Sequence, residues 1–311
     1  MLFVFPHGFA QQNLVYNGSF EEYYSCPVSN DLGNGQLELC KGWWKPTLGT
    51  SDYFNRCNTN NGVGIPVNFW GYQEAYGGDG YVGLYPIDWY IISGEYFGFE
   101  YIQTQLIRPL VSCVEYHFEM QVNFANYSRY GISRLGALFT KNPIHTSTEN
   151  AITFTPQVLN NQGFLTDTAH WVTVSGNFIA TGNEQYLCIG YFFDNVQNDT
   201  LNFQPPVGFL NEGGGYYYID NVSLVEVGAV ENCDYELPNI VTPNNDGVND
   251  VWEYSSSFEG RLTIMNRWGN IIYEATGTSF HWNGADCTDG VYYYIYYSEG
   301  FSKTGFIQLI R

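Results

Sequence analysis

Basic residues are scarce in this sequence. Eleven Lys and Arg stand against 31 Asp and Glu among 311 residues, so the formal net charge is −20 at pH 7. A surface of this sign repels the phosphates of a nucleic-acid backbone, and nucleic acid is therefore excluded as an expected partner. The same surface suits divalent cations, neutral ligands and solubility outside the cell.

Long apolar runs are also missing, because no stretch approaches the ~20 apolar residues that a membrane-spanning helix needs. We therefore expect no transmembrane segment. Residues 1–10 contain a short apolar run that ends in the small residues Gly8 and Ala10, as a secretory signal does before its cleavage site. No Lys or Arg precedes this run, so we interpret residues 1–10 as the remnant of a longer signal, with a first β-strand as the alternative.

The seven cysteines form no CxxC pair and no Cys/His pattern typical of zinc sites. In an exported chain we expect disulfides instead, and an odd number of cysteines leaves at least one thiol unpaired. We predict the pairs Cys233–Cys287 and Cys26–Cys40, although spacing alone does not fix which cysteines pair.

Signatures of common enzymes are absent as well, since G-x-S-x-G, H-E-x-x-H, the P-loop and the dinucleotide fingerprint do not occur. We therefore expect a protein that is not an enzyme. A glycoside hydrolase is the less favoured alternative, because its chemistry needs two facing carboxylates. The aromatic segment before residue 101 offers these acidic candidates: Glu74, Asp79, Asp88, Glu95 and Glu100.

Strand-forming residues are abundant. Aromatic residues make up 18% of the chain, and Gly and Asn, which are typical of turns, recur throughout. Residues 113–125 and 171–180 alternate apolar and polar side chains, residues 186–193 form a continuous apolar run, and residues 215–227 continue the strand pattern. We therefore predict an all-β protein whose first domain is an antiparallel β-sandwich with long aromatic insertions.

The alternation stops near residue 229, where a segment of small residues indicates a domain boundary. Beyond it, two pairs of strand-like segments flank the turns "RWGN" and "EGFS", as in β-hairpins. We predict a first domain over residues 11–228 and a second over residues 229–311, the second being a small immunoglobulin-like β-sandwich.

Three short segments carry a family resemblance: "NLVYNGSFEE" from residue 13, "HWVTVSGNFIA" from residue 170 and "YYYIDNVSLVEV" from residue 216. They resemble the family 4/9/22 carbohydrate-binding modules, which are jelly rolls. The resemblance implies that the first and last strands lie side by side and that Glu21 and Asp220 bind a structural calcium ion, a cation that prefers oxygen ligands. The alternative is that Glu21 is solvated and Asp220 caps a turn.

Sugar binding requires flat aromatic faces with amides and carboxylates nearby. The resemblance transfers no sugar-contacting residue, so the candidates come from the aromatic segments: Trp43, Trp44, Trp70, Tyr72, Trp89 and Tyr90. Aromatic residues in long loops also form small cores beneath the loops, and this is the alternative for each Trp.

The most specific pattern lies at the C-terminal end. The segments "PNIVTPNNDGVNDVW", "IMNRWGNIIYE", "HWNG" and "DGVYYYIYY" closely resemble the gliding motility-associated C-terminal domain, the type B sorting domain of the Bacteroidota type IX secretion system. This implies a domain that stays folded and is recognised by the translocon and the surface-attachment machinery. The motif positions are Pro243, Asn244, Asp246, Gly247, Asn249, Asp250, Asn266, Arg267, Trp268, Gly269, Trp282, Gly284, Asp289 and Gly290.

The segment "TPNNDGVND" at residues 242–250 is predicted to be a turn, because Asn and Asp side chains bind neighbouring amides and Gly247 accepts a positive φ. A calcium loop of the EF-hand type is the alternative, with Asp246 and Glu253 as ligands, although Thr242 occupies its first position and no helices flank it.

All these patterns together predict a secreted protein, extracellular or on the outer-membrane surface, that the type IX system exports. Its first domain is predicted to bind a polysaccharide or another glycan without catalysis. A surface adhesin or structural protein that contacts other proteins is the alternative.

Overall fold

The computed structural model describes residues 12–29, 36–60, 62–90, 96–193, 199–203, 214–230, 238–298 and 301–311, with side chains at all of these except 88–90, 96–97, 255–258, 298 and 301–302. Regular structure in this part of the chain is β-strand apart from one 3₁₀ turn, Leu37–Leu39. The all-β prediction is confirmed. The predicted signal remnant at residues 1–10 lies outside the described residues.

The chain divides into two compact units. The first comprises Met1–Arg108, Tyr116–Phe178 and Gln185–Glu226, and the second comprises Pro109–Glu115, Ile179–Glu184 and Val227–Arg311. No helix in the described ranges has the length and apolar character needed to cross a membrane.

In the described part of the chain, fifteen strands precede residue 230. They are β1 (Trp43–Trp44), β2 (Asp52–Asn55), β3 (Val67–Asn68), β4 (Gly71–Tyr72), β5 (Gly80–Tyr90), β6 (Tyr96–Gly98), β7 (Ile102–Gln105), β8 (Val114–Phe124), β9 (Tyr130–Ile132), β10 (Gly136–Thr140), β11 (Val158–Leu159), β12 (Val172–Ile179), β13 (Tyr186–Gly190), β14 (Thr200–Asn202) and β15 (Gly215–Ala229).

Two antiparallel sheets form the sandwich of the first unit. One has the strand order β1-β7-β13-β10-β11, and the other has the order β12-β8-β15-β5-β2 with β6 paired to β5. The ring of Phe139 in β10 lies 4.5 Å from that of Phe178 in β12 and 5.8 Å from that of Phe118 in β8. These contacts join the two sheets, and burial of each such ring contributes roughly 1.5–3 kcal/mol.

The beginning and the end of the first unit lie side by side. The amide of Leu14 donates to the carbonyl of Leu224 at 2.8 Å, and the amide of Val222 donates to the carbonyl of Gly18 at 2.7 Å. The adjacency implied by the jelly-roll resemblance is therefore confirmed.

An aromatic layer covers one face of the β15 sheet. Successive strand residues point to opposite faces, so Tyr216 and Tyr218 face the insertion between β2 and β5. There the Trp70 ring stacks on Tyr216 at 4.7 Å, and the hydroxyl of Tyr218 donates to Oδ1 of Asn68 at 2.6 Å. The long insertion is thus a packed third layer with its own small core.

The second unit contains β16 (Ile240–Val241), β17 (Trp252–Met265), β18 (Ile271–Trp282), β19 (Gly290–Ser298) and β20 (Phe301–Leu309). Hydrogen bonds join them in the order β16-β20-β19-β17-β18. The pairing of β17 with β18 changes register between Ser255 and Gly260, and such irregularities bend strands. Beyond the bend, Trp252 lies 5.5 Å from Tyr294 and Tyr254 lies 4.9 Å from Tyr296, which closes a core over the sheet.

The predicted disulfide Cys26–Cys40 is wrong. Cys26 is bonded to Cys57, and Cys40 is a buried free thiol whose Sγ accepts a hydrogen bond from Asn17. The pairing follows from folding of the insertion, because Asn58 donates to the carbonyl of Pro27 at 2.7 Å and brings the two segments together.

The predicted pair Cys233–Cys287 is also not formed, since Cys287 is a free, half-buried thiol; Cys233 lies outside the described residues. Cys287 packs against the core of the second unit and acts there as a small apolar side chain. Two further cysteines differ in state: Cys188 is a free, buried thiol, whereas Cys113 is disulfide-bonded.

Candidate functional site

Two of the predicted sugar-contacting tryptophans are core residues. Trp43 is buried, its Nε1 donates to the carbonyl of Asn17 at 3.0 Å, and its ring lies 5.0 Å from Phe20. Trp70 is buried in the aromatic layer. Neither indole offers an open face to a ligand, so the prediction of a platform is wrong for both and the alternative of a small core holds.

The other candidates divide into exposed, half-buried and undescribed side chains. Tyr72 is 57% exposed, which leaves its ring open to solvent. Trp44 is half-buried and meets Tyr186 edge-on at 6.4 Å. The side chains of Trp89 and Tyr90 lie outside the described residues.

Tyr72 belongs to a mixed aromatic and charged surface, which we call the Tyr72 surface and which comprises Arg56, Tyr72, Glu74, Tyr76 and Trp171. The Tyr72 hydroxyl donates to Oε1 of Glu74 at 3.3 Å, and Arg56 donates to Oε2 of Glu74 at 2.8 Å. The Nε1 of Trp171 donates to the carbonyl of Glu74 at 3.0 Å, and its ring meets that of Tyr76 edge-on at 6.3 Å.

Sequence reasoning missed Tyr76 and Trp171. Trp171 begins the alternating segment that becomes β12, so its position indicated a strand and not a surface. Tyr76 is followed by "GGDG", a pattern that indicates only a turn. One of the five residues of the Tyr72 surface, Trp171, therefore comes from a distant segment that only the fold brings to the insertion.

The acidic candidates for a glycoside hydrolase do not face one another across a cleft in the described structure. Glu74 and Asp79 both bind the guanidinium of Arg56, at 2.8 and 2.9 Å. Glu100 is buried and accepts hydrogen bonds from Thr50 and from the amide of Tyr85. The side chain of Asp88 and all of Glu95 lie outside the described residues.

Glu21 and Asp220 hold one loop from two sides. The carboxylate of Glu21 accepts the amides of Asp79 and Gly80 at 2.9 Å, and Oδ2 of Asp220 accepts the amides of Tyr76 and Gly77 at 2.8 and 3.2 Å. The two side chains that the resemblance assigned to calcium therefore meet at the same short segment.

The donor chemistry of this pair fits calcium, because both side chains are carboxylates and calcium prefers oxygen ligands. Burial raises the pKa of Asp220 to about 7, and the nearby charge of Glu21 contributes in the same direction. A cation beside both would favour the ionised forms. Among the described residues no group of three or more His, Cys, Asp and Glu side chains converges, so any further ligands would have to be backbone carbonyls or water.

Residues 242–250 form a closed turn. Oδ1 of Asp250 accepts the amide of Asn245 at 2.6 Å, and Oδ2 accepts the amide of Gly247 at 2.8 Å. Oδ1 of Asp246 accepts the amide of Val248 at 2.8 Å, and a hydrogen bond from Asn244 together with this amide lowers the pKa of Asp246. Gly247 has φ +85°, which confirms the turn prediction.

The remaining motif residues lie at the ends of the strands of the second unit. Oδ1 of Asn266 accepts the amides of Trp268 and Asn270, both at 3.0 Å, and closes the turn between β17 and β18. Trp268 is exposed, and the Arg267 guanidinium lies 4.3 Å from its ring centre.

The last residue closes the other end of this unit. Arg311 donates to Asp289 at 3.1 Å and to the carbonyl of Gly284 at 2.8 Å. Gly284 has φ +67°, and a Cβ there would come within 2.7 Å of Leu309. Trp282 is buried in the core, and Gly290 begins β19. The motif residues described here thus form turns between strands, contribute to the core, or bind the C-terminal Arg311 at one end of the sheet.

Residues 235–309 match the CHU_C type IX secretion signal domain. This signal domain indicates sorting by the type IX secretion system and export to the cell surface or the extracellular space. No curated protein matches the chain in sequence.

Solved structures similar to this chain include carbohydrate-binding modules and adhesin domains. The CBM22-1 xylan-binding domain of Paenibacillus barcinonensis Xyn10C is 11% identical and covers 72% of this chain and 100% of its own, with a TM-score of 0.33. TmCBM61, solved with β-1,4-galactotriose, is 10% identical and covers 69% and 99%, with a TM-score of 0.31.

An adhesin domain is similar to a comparable degree. The K1 cleaved adhesin domain of Lys-gingipain from Porphyromonas gingivalis W83 is 14% identical and covers 59% of this chain and 90% of its own, with a TM-score of 0.27.

Proposed function

We propose that this protein is a type IX secretion substrate of the cell surface or the extracellular space, and that its first unit binds a glycan without catalysis. The Tyr72 surface carries the second part of the proposal. It combines exposed tyrosines and a half-buried Trp171 with the Glu74 and Arg56 side chains.

This combination matches the chemistry of a pyranose. The C–H groups on one face of the ring pack on an aromatic face, while its hydroxyls need both donors and acceptors. Arg56 supplies donors, Glu74 supplies acceptors and the Tyr72 hydroxyl supplies either. The loop is fixed from beneath by Glu21 and Asp220, so little ordering accompanies binding.

The test is a pull-down of the full-length protein on insoluble and soluble polysaccharides, compared between wild type, Tyr72→Ala and Tyr76→Ala. We expect retention of the wild type on at least one polysaccharide and its loss in both variants. Leu48→Ala, which removes an exposed side chain outside the Tyr72 surface, is the control and should bind as wild type does.

Failure of the wild type to bind any polysaccharide would overturn glycan binding and favour the adhesin alternative, in which the first unit contacts proteins. Release of reducing sugar during the incubation would instead favour the hydrolase alternative. Calcium at Glu21 and Asp220 belongs to this proposal as a structural ion, and its test is a separate measurement of stability.

A further inference from the structure

A second candidate site lies in the segment between β10 and β11 and shares no residue with the Tyr72 surface. Residues 140–154 surround an open depression of ≈ 650 Å³. Its lining includes Lys141, Asn142, His145, Asn150 and Phe154. We call it the Phe154 depression.

The walls of the depression are fixed by the sheet behind them. Gln103, which is fully buried in β7, accepts the amide of Ile144 at 2.9 Å and donates to the carbonyl of the same residue at 3.1 Å. The hydroxyl of Tyr101 accepts the amide of Ile152 at 2.9 Å. A loop held in this way presents a preformed shape, which reduces the entropic cost of binding.

Lys141 distinguishes this depression from the rest of an acidic protein. Of the eleven Lys and Arg, seven form ion pairs with carboxylates and two more lie over aromatic rings. The side chain of Lys141 has no hydrogen bond, ion pair or ring contact with any described residue. A cation left unpaired in a chain of net charge −20 is available for an anion brought by a ligand.

The other lining groups suit a sugar ring. Phe154 is 59% exposed and offers an apolar face, and the side-chain amides of Asn142 and Asn150 have no hydrogen-bond partner among the described residues. Amides both donate and accept, as sugar hydroxyls require. His145 adds a ring nitrogen donor at the same rim.

We propose that the Phe154 depression binds an anionic sugar unit of the glycan, with Lys141 on its carboxylate or sulfate, Phe154 against the ring and the two Asn amides on hydroxyls. This inference rests on the proposed glycan binding. It adds that the glycan contains an anionic sugar and that the first unit has a second binding site for it.

The experiment is isothermal titration calorimetry of the full-length protein with three probes: polygalacturonate oligosaccharides, sulfated galactan oligosaccharides and neutral β-1,4-galactan oligosaccharides. We expect an anionic probe to bind more tightly than the neutral probe, and its binding to weaken with added NaCl. Lys141→Ala should weaken binding of the anionic probe roughly ten-fold, the loss of about one ion pair, whereas Lys141→Arg should retain most of it. Phe154→Ala should weaken binding as well.

Phe164→Ala is the matched control, because it removes another exposed phenylalanine of the same unit, and it should leave the affinity unchanged. Preference for polygalacturonate or for sulfated galactan identifies the anion as carboxylate or sulfate, and either supports the inference. Preference for the neutral probe, with sensitivity to Tyr72→Ala and not to Lys141→Ala, would overturn the inference and leave the proposed function standing. Absence of binding to all three probes and to every polysaccharide would overturn both.

Discussion

Tyrosine exceeds phenylalanine in this chain, 27 to 22, and buried tyrosines of the first unit contribute both apolar area and a hydrogen bond. The hydroxyl of Tyr53 donates to the carbonyl of Phe20 at 2.8 Å, and that of Tyr217 donates to the carbonyl of Leu165 at 2.7 Å. The ring adds buried apolar area while the hydroxyl satisfies a loop carbonyl that has no strand partner. Loops lacking regular structure are thereby fixed to the sheets.

Asp52 is the buried carboxyl group with the clearest consequence for pH. Burial raises its pKa to about 8, with the neighbouring Glu100 adding to the shift, and the Tyr216 hydroxyl donates to it at 2.7 Å. The unfolded chain releases this proton at about pH 4. The folded state therefore holds a proton that the unfolded state has lost, and stability is full below about pH 4 and declines as pH rises through 8.

We predict that Asp52→Asn reduces this decline, because the amide still accepts from Tyr216 but does not ionise. The measurement is urea unfolding of the full chain at several values between pH 4 and pH 8, the interval set by the unfolded and folded pKa values. The exposed Asp286→Asn is the control and should follow the wild type. An unchanged slope of stability against pH in Asp52→Asn would contradict the assignment.

Residue identity alone could not separate binding aromatics from core aromatics. Trp70 and Tyr72 lie two positions apart in one insertion, yet one is 7% exposed and the other 57%. The difference arises because the Trp70 ring stacks on Tyr216, which lies 146 positions later in the chain. Contacts over that separation leave no local pattern in the sequence.

Strands were predictable from the sequence where one face of the strand is buried and the other face is not. The segment 113–125 became β8, in which the first six residues alternate buried and half-buried, and the segment 215–227 became β15. The hairpin around "RWGN" is also confirmed, as β17 and β18. The short strands within the insertion were not predicted, because β3 and β4 contain two residues each and show no period.

The path of the chain between its elements also explains why the predicted disulfide Cys26–Cys40 is not formed. Cys26 and Cys40 lie close in sequence, but the 3₁₀ turn at Leu37–Leu39 directs Cys40 into the core. Cys57 reaches Cys26 through the path of the whole insertion. Cysteine pairing depends on such paths, which spacing does not encode.

The turn at residues 242–250 makes a prediction about one carboxylate. Asp250→Ala removes the acceptor of two amides, those of Asn245 and Gly247, and should destabilise the turn by about 1 kcal/mol because the site is exposed. The measurement is hydrogen exchange, in which these two amides should exchange faster. Asp250→Asn keeps one acceptor oxygen and should lie between the variant and the wild type. Equal exchange in all three proteins would show that the carboxylate does not hold the turn.

At the scale of the whole molecule, sorting depends on the second unit. Deletion of residues 230–311 removes the segment that matches the secretion signal domain, and we predict that the truncated chain stays in the periplasm. The measurement is surface labelling of intact cells, with a full-length chain carrying Phe154→Ala as the control that keeps the signal. Surface display of the truncated chain would contradict a sorting role.

Calcium at Glu21 and Asp220 stays a prediction with a direct test. A ligand bound only by the native state stabilises it, so chelation should lower the melting temperature by several degrees if the ion is present. Glu21→Gln, which still accepts the amides of Asp79 and Gly80, should remove the response to chelator while keeping the loop. An unchanged melting curve of the wild type would mean that the amides alone hold these carboxylates.

The strand order places β18 at an edge of its sheet, with twelve residues and neither Pro nor Lys among them. Such an edge is a template for pairing with another molecule. A net charge of −20 opposes such pairing between copies, and we expect this repulsion to vanish near the isoelectric point of ≈ 4.3 and to be screened by concentrated salt. We therefore expect the purified protein to remain dispersed because of its acidity, and to precipitate in acidic, salty buffer through pairing at this strand.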